Sequence, residues 1–271
     1  MHGTILVWES TTGKRCGSGT TIRHDTIGLS PVRSREGREQ RRVRGSDIMG
    51  DAATTSLPLF PLNAVLFPGM LLPLHLFEER YLRLLRERAT SDPIFEVVKT
   101  RHGREVGDQP LVHDIGTAAR LLVVNRLADE SCDIVVVGAD RFSVLDRDWS
   151  TGYLSATVRW MRDDVAALDE ARHAVDAALE AFERFLVAVE QATDQAISRR
   201  DIGHDPLAVG YAIAAGLQVD TRLLQRLLEA PTPGERLNDL VGILHHERRL
   251  LERTLAGGAT LRHLGSRFQP N

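Results

Sequence analysis

Apolar residues follow two rhythms along this chain. Between residues 57 and 160 they come in short runs and alternations, and beyond residue 163 they recur every three or four positions. A period of two belongs to strands and a period near 3.6 to helices. In "YLSATVRW", Leu154, Ala156, Val158 and Trp160 alternate with Tyr153, Ser155, Thr157 and Arg159, which predicts a half-buried strand. The runs "IFEVVKT", "GTAARLLVVNRL" and "CDIVVVGADRFSVLDRD", divided by the turn signals "RHG" and "ADES", predict further strands. Residues 57–60 and 71–76 add two short ones. Residues 78–88 predict a helix that turns Tyr81, Leu82, Leu84 and Leu85 inward. Five or more short strands with one early helix predict a small closed or nearly closed β-barrel over residues 57–163.

The second rhythm predicts helices. Leu168, Ala171, Val175, Ala178, Phe182, Phe185 and Val189 form the stripe of one long amphipathic helix. "HDPLAVGYAIAAG" offers Asp205 as a cap and Pro206 as first helical residue, with an end near Gly216. Asp220 caps the next short helix. Thr232 and Glu235 bracket Pro233 as a capping box, and Gly257 stops the last helix. An α-helical bundle over residues 164–257 follows the barrel, with residues 258–271 as a frayed end. The fold class is α+β.

Residues 57–77 carry only Asn63 and His75 as polar side chains, over a length sufficient to cross a bilayer. Pro58, Pro61, Pro68 and Pro73 exclude that reading, because each would cost a helix about 3 kcal/mol. Lipid offers no water to the backbone groups they free. The run predicts strands around an irregular loop at "NAVLFPG". That loop is also the candidate site. Val65, Leu66, Phe67 and Met70 either plug the end of the barrel or take up apolar side chains of an extended peptide.

Residues 1–56 show no sustained periodicity and are expected to form a disordered tail, with Met49 as a second candidate start. Residues 1–48 hold nine basic and five acidic groups, net +4, against 25 and 32, net −7, in the remainder. The mildly acidic folded part and 5% aromatic content weaken any case for nucleic acid. Only Lys14 and Lys99 are lysines. Cys16 and Cys132 form no C-x-x-C pair or His/Cys cluster, which points to a reducing, cytoplasmic setting and no metal.

Catalytic patterns are missing. There is no G-x-x-x-x-G-K-[ST] loop and no G-x-S-x-G elbow, and Lys99 alone is poor material for a Ser–Lys dyad. His245 and His246 are adjacent on a helix, about 100° apart, and cannot share one metal. His113–Asp114 is expected in a loop and His204–Asp205 at a cap. No cofactor is expected.

"LPLFPLNAVLFPG", "LPLHLFEERY", the "GT-A" at Gly116–Ala118, "GADRFSV" and "LQRLLEAPTPGERLNDLVGILHHE" together resemble the amino-terminal domain of the Lon proteases. The resemblance implies a PUA-like β-barrel followed by helices that captures unfolded or damaged proteins. It marks Pro61, Asn63, Pro68, Gly69, Leu74, Phe77, Arg80, Tyr81 and Gly116 as signature positions, most of them structural. It also implies a stand-alone member without ATPase and peptidase domains, hence no enzyme. The expected partner is an unfolded or exposed apolar polypeptide, together with a protease or chaperone. A membrane is not expected. RNA binding and ligand sensing are the alternative functions of such barrels.

Overall fold

The computed structural model describes residues 54–88, 94–102, 110–150, 152–163 and 165–256. The expectations for residues 1–53, Gly257 and residues 258–271 lie outside these. Six strands come first: β1 (Thr54–Leu62), β2 (Leu71–Leu76), β3 (Ile94–His102), β4 (Leu111–Arg126), β5 (Cys132–Asp148) and β6 (Ser155–Trp160). The helix α1 (Glu79–Arg88) lies between β2 and β3. Four helices follow: α2 (Val165–Thr193), α3 (Pro206–Gly216), α4 (Thr221–Glu229) and α5 (Pro233–Ala256). The architecture is α+β, a small β-barrel followed by an α-helical bundle. Among the described residues no helix is long and apolar enough to cross a membrane.

The strands stand in the order β2-β5-β4-β3-β1-β6, and β5 also pairs with β6, which closes the sheet. The long β5 makes this possible by changing partner along its length. Its first part pairs with β2, Leu76↔Cys132 to Leu71↔Val137, and its last part with β6, Phe142↔Trp160 to Asp148↔Ser155. β1 is split in the same way, its residues 54–58 pairing with β6 and its residues 59–62 with β3. Each half of β1 is therefore laddered on one side, so Pro58 and Pro61 can sit within a strand. The expected tail boundary at residue 56 is corrected here, since Thr54, Thr55 and Ser56 pair with Arg159, Val158 and Thr157.

The helix ends obey local chemistry. The Asp205 carboxylate accepts from the Ala208 N–H at 2.8 Å, and Pro206 lacks the N–H that a first turn leaves orphaned. Asp220 accepts from the Arg222 N–H at 2.8 Å, and Thr232 Oγ1 from the Glu235 N–H at 3.2 Å. Such caps stabilise by about 1 kcal/mol each. α2 packs its stripe of Ala171, Val175, Ala178, Phe185 and Val189 into one core with α3, α4 and α5, and Phe182 lies partly buried at its margin. A second cluster joins β1, β2, β4 and β5 to Tyr81, Leu82 and Leu85 of α1. A third gathers Leu59, Val98, Phe142, Val144, Leu154 and Val158 of the barrel.

Candidate functional site

The "NAVLFPGM" loop is stitched into the fold. Gly69 N–H donates to Gly138 O, and Gly138 N–H donates to Met70 O, both at 2.9 Å. Thr117 Oγ1 donates to Leu66 O at 2.6 Å. A Cβ on Gly138 would fall on the carbonyl of Phe67, so only glycine lets the loop come this close. Gly69 itself has φ 79°, in the left-handed region. Leu66 joins the core of β1, β2 and α1, while Val65 and Phe67 pass into the helical core, where Phe67 meets the Tyr211 ring at 6.3 Å.

That placement corrects two residues of the candidate site. Leu66 and Phe67 are each 1% exposed and offer no surface to a peptide. They join the two halves of the molecule. Met70 is half-buried, packs against both cores and adjoins Leu71 at the start of β2. Of the signature positions, Pro61, Leu74, Tyr81 and Gly116 are buried and Asn63 is exposed. The Tyr81 ring stands edge-on to Phe60 at 4.2 Å, and Arg80 pairs with Glu78 at 2.9 Å. Pro68 lies partly buried in the loop, and Phe77 is 36% exposed beside His75.

Two buried arginines lie where the barrel meets the helices. Arg141 of β5, 3% exposed, donates from Nη1 to Leu228 O at 2.7 Å and to Ala230 O at 2.9 Å. Its Nη2 reaches Asp163 at 2.9 Å. Arg236 of α5, fully buried, donates from Nε to Leu227 O at 3.0 Å and lies over the Tyr211 ring at 4.3 Å. Two guanidiniums from different elements thus take the orphan carbonyls at the C-terminus of α4, where the helix dipole favours cations. Burial lowers the Arg236 pKa and raises that of Tyr211.

His113 belongs to the same junction, and its expected loop position is corrected. It lies in β4, with Nδ1 2.9 Å from Glu229 of α4. Gln225 ties Glu229 at 2.8 Å and Ile115 O at 3.0 Å. Burial draws the His113 pKa below its usual value, and Glu229 opposes the shift without reversing it. A shallow cleft of about 280 Å³ between α2 and α5 is lined by Glu183, Arg184, Arg248 and Glu252. Its charges are engaged elsewhere or with one another: Arg184 with Glu180, Glu183 with Arg199 and Arg248 with Glu252. They leave little for a ligand.

The open surface is on the ribbon formed by β2, the first part of β5 and the last part of β4. Cross-strand partners share a face. One face, with Leu72, Leu74, Leu76, Ile134 and Val136, is buried. On the other face, Leu71 stands opposite Val137, and Pro73 opposite Val135, which faces Val123 in turn. Leu71 is 42% exposed, and at the register shift of β4 Leu122 and Val123 are 52% and 53% exposed. The next row is polar, with His75 bonded to Asp133 at 2.7 Å opposite Asn125. The hairpin tip is closed by Leu127 N–H donating to Ser131 O at 2.9 Å. A contiguous apolar face on hydrogen-bonded strands is the kind of surface that binds other chains.

Residue patterning missed this surface, although one signal was present. "LLVV" at 121–124 has no alternation, which ordinarily means burial on both faces. Among the described residues the run outlasts its neighbour, since β3 pairs with β4 no further than Ile94↔Arg120.

The family model of the ATP-dependent protease La (LON) substrate-binding domain matches residues 56–246. A Lon protease of Brevibacillus choshinensis is 25% identical over 198 residues, covering 72% of this chain and 25% of that protein. One of Anaeromyxobacter dehalogenans is 28% identical over 205 residues, with 72% and 24% covered. The chain thus spans about a quarter of the length of these curated relatives. A Lon N-terminal domain protein from Xanthomonas campestris matches with TM-score 0.51 and 25% identity, over 69% of this chain and 98% of that one. The N terminal domain of the Mycobacterium avium complex Lon protease matches with TM-score 0.53 and 20% identity, over 70% and 98%, a likeness of fold.

Proposed function

The chain belongs to the ATP-dependent protease La (LON) substrate-binding domain family, and from that premise we propose that it is a non-catalytic polypeptide-binding module. It captures unfolded or damaged proteins through exposed apolar segments. In the cytoplasm it serves as an adaptor in protein quality control, presenting them to a protease or chaperone. The observation that carries this reading is the exposed apolar face of the β2–β5–β4 ribbon, with Met70 at its border. Burying apolar side chains there contributes about 25 cal/mol per Å² before the costs of ordering the client. Those costs hold the affinity near the micromolar range or weaker.

The test is binding of the 271-residue chain to a reduced, alkylated, unfolded protein and to a single-stranded RNA, each at low and high salt. Apolar capture changes little with salt, whereas phosphate binding falls steeply. The unfolded protein is expected to bind at both salt concentrations, and Leu71→Asp with Leu122→Asp to weaken it at least five-fold without unfolding the chain. Binding of RNA alone, or of neither, overturns the reading.

A further inference from the structure

The ribbon has two lateral edges, and they differ in their backbone chemistry. On β2 the edge carries Pro73, which has no N–H. Proline blunts an edge against further strands. On β4 the described pairing with β3 reaches only as far as Ile94↔Arg120, and among the described residues no further strand lies alongside residues 121–126 on that side. That stretch, "LLVVNR", holds no proline, so every residue keeps its N–H. Past the register shift, Val123, Val124, Asn125 and Arg126 pair in regular succession with Val135, Ile134, Asp133 and Cys132. A strand paired on one side turns alternate N–H and C=O groups outward. Here the outward groups have no backbone partner among the described residues. Leu122, Val123 and Val124, 52%, 53% and 39% exposed, line the same edge.

We propose that this edge of β4 takes an extended apolar segment of a client polypeptide as an added strand. The inference rests on the polypeptide-binding reading and specifies how the client is held. Main-chain hydrogen bonds supply affinity that is indifferent to client sequence, and the three apolar side chains select apolar partners. An unfolded client has free backbone groups and a folded one does not, so the edge distinguishes the two.

Charge defines the occupant further. Arg120 and Arg126 are exposed, have no ion-pair partner among the described residues, and bracket an edge about 20 Å long. They favour segments with acidic residues at their ends. The same arginines disfavour a second copy of this chain, because edge-to-edge pairing would gather four uncompensated guanidiniums along one seam.

The probe is a decapeptide of alternating valine and threonine with a glutamate at each end. It is compared with the same peptide N-methylated at every central residue, which keeps the side chains and removes the donors. The full chain is expected to bind the N-methylated peptide at least ten-fold more weakly. The unmodified peptide is expected to slow hydrogen exchange at residues 122–126. Successive N–H groups alternate in direction, so of Val123→Pro and Val124→Pro one removes an outward donor and leaves the ladder to β5 intact. The variant that keeps the wild-type melting temperature is expected to lose at least ten-fold in affinity. Equal binding of both peptides overturns the added strand and leaves capture by side chains standing. Slow exchange at residues 122–126 without peptide, in a concentration-dependent dimer, overturns it in favour of a second copy. Failure of the wild type to bind either the peptide or the reduced, alkylated protein overturns the polypeptide-binding reading itself.

Discussion

The barrel–helix junction and the β2–β5–β4 ribbon invert the ordinary placement of charged and apolar groups. At the junction Arg141 and Arg236 are buried and hold the carbonyl end of α4. On the ribbon Leu71, Leu122 and Val123 are exposed to solvent. Desolvated cations survive at the junction because a helix C-terminus and Asp163 supply acceptors within hydrogen-bond reach. The ribbon keeps its exposed face because the strands beneath it are anchored by a full apolar core on the other side. One region therefore sets geometry and has no surface to give. The other gives surface, and its substitution should cost the fold little.

The largest effect should come from Arg141→Met. It strands Asp163, 11% exposed, frees the carbonyl of Leu228 and leaves that of Ala230 with Arg236 alone, so a loss of about 3–5 kcal/mol is expected in urea unfolding. A loss below about 1 kcal/mol would show that the junction is not held by this guanidinium. Phe67→Ala should follow closely, at about 3 kcal/mol or more, because the ring spans from the loop into the helical core. A nearly neutral Phe67→Ala that weakened binding would return the site to the loop.

Val123→Lys should show the opposite signature. Stability is expected to stay within about 0.5 kcal/mol of wild type, while binding of an unfolded protein drops several-fold. Loss of stability with unchanged binding would erase the contrast between the two regions. The smallest effect concerns His113. Its folded-state pKa lies below the unfolded value near 6.5, so the unfolded chain takes up the proton first. The stability this contributes is present above pH 6.5 and lost as pH falls through that value toward the folded pKa. Melting temperature should fall more between pH 7.5 and 5.5 in the wild type than in His113→Asn. An equal fall in both would mean that His113 is not desolvated against α4.

Local pattern and tertiary context contributed separably to this protein. Elements with a single competing interpretation were legible in the chain. Asp205–Pro206 and Asp220 mark helix starts because a cap needs only its own first turn, and the four prolines exclude a membrane helix by backbone chemistry alone. The α2 stripe also emerges from spacing, since one helix face suffices to define it. The fate of Leu66 and Phe67 was not legible. Apolar residues beside a Pro–Gly break read either as a plug or as a groove, and the decision came from Gly138, sixty-nine positions beyond Gly69, whose missing Cβ admits the loop. Arg141 and Arg236 look like surface residues in sequence, because nothing local reveals that α4 will end against them. The exposed residues 122–124 look like part of a buried strand for the converse reason. Periodicity records which side chains share a face, and only the packed structure determines whether anything lies opposite it.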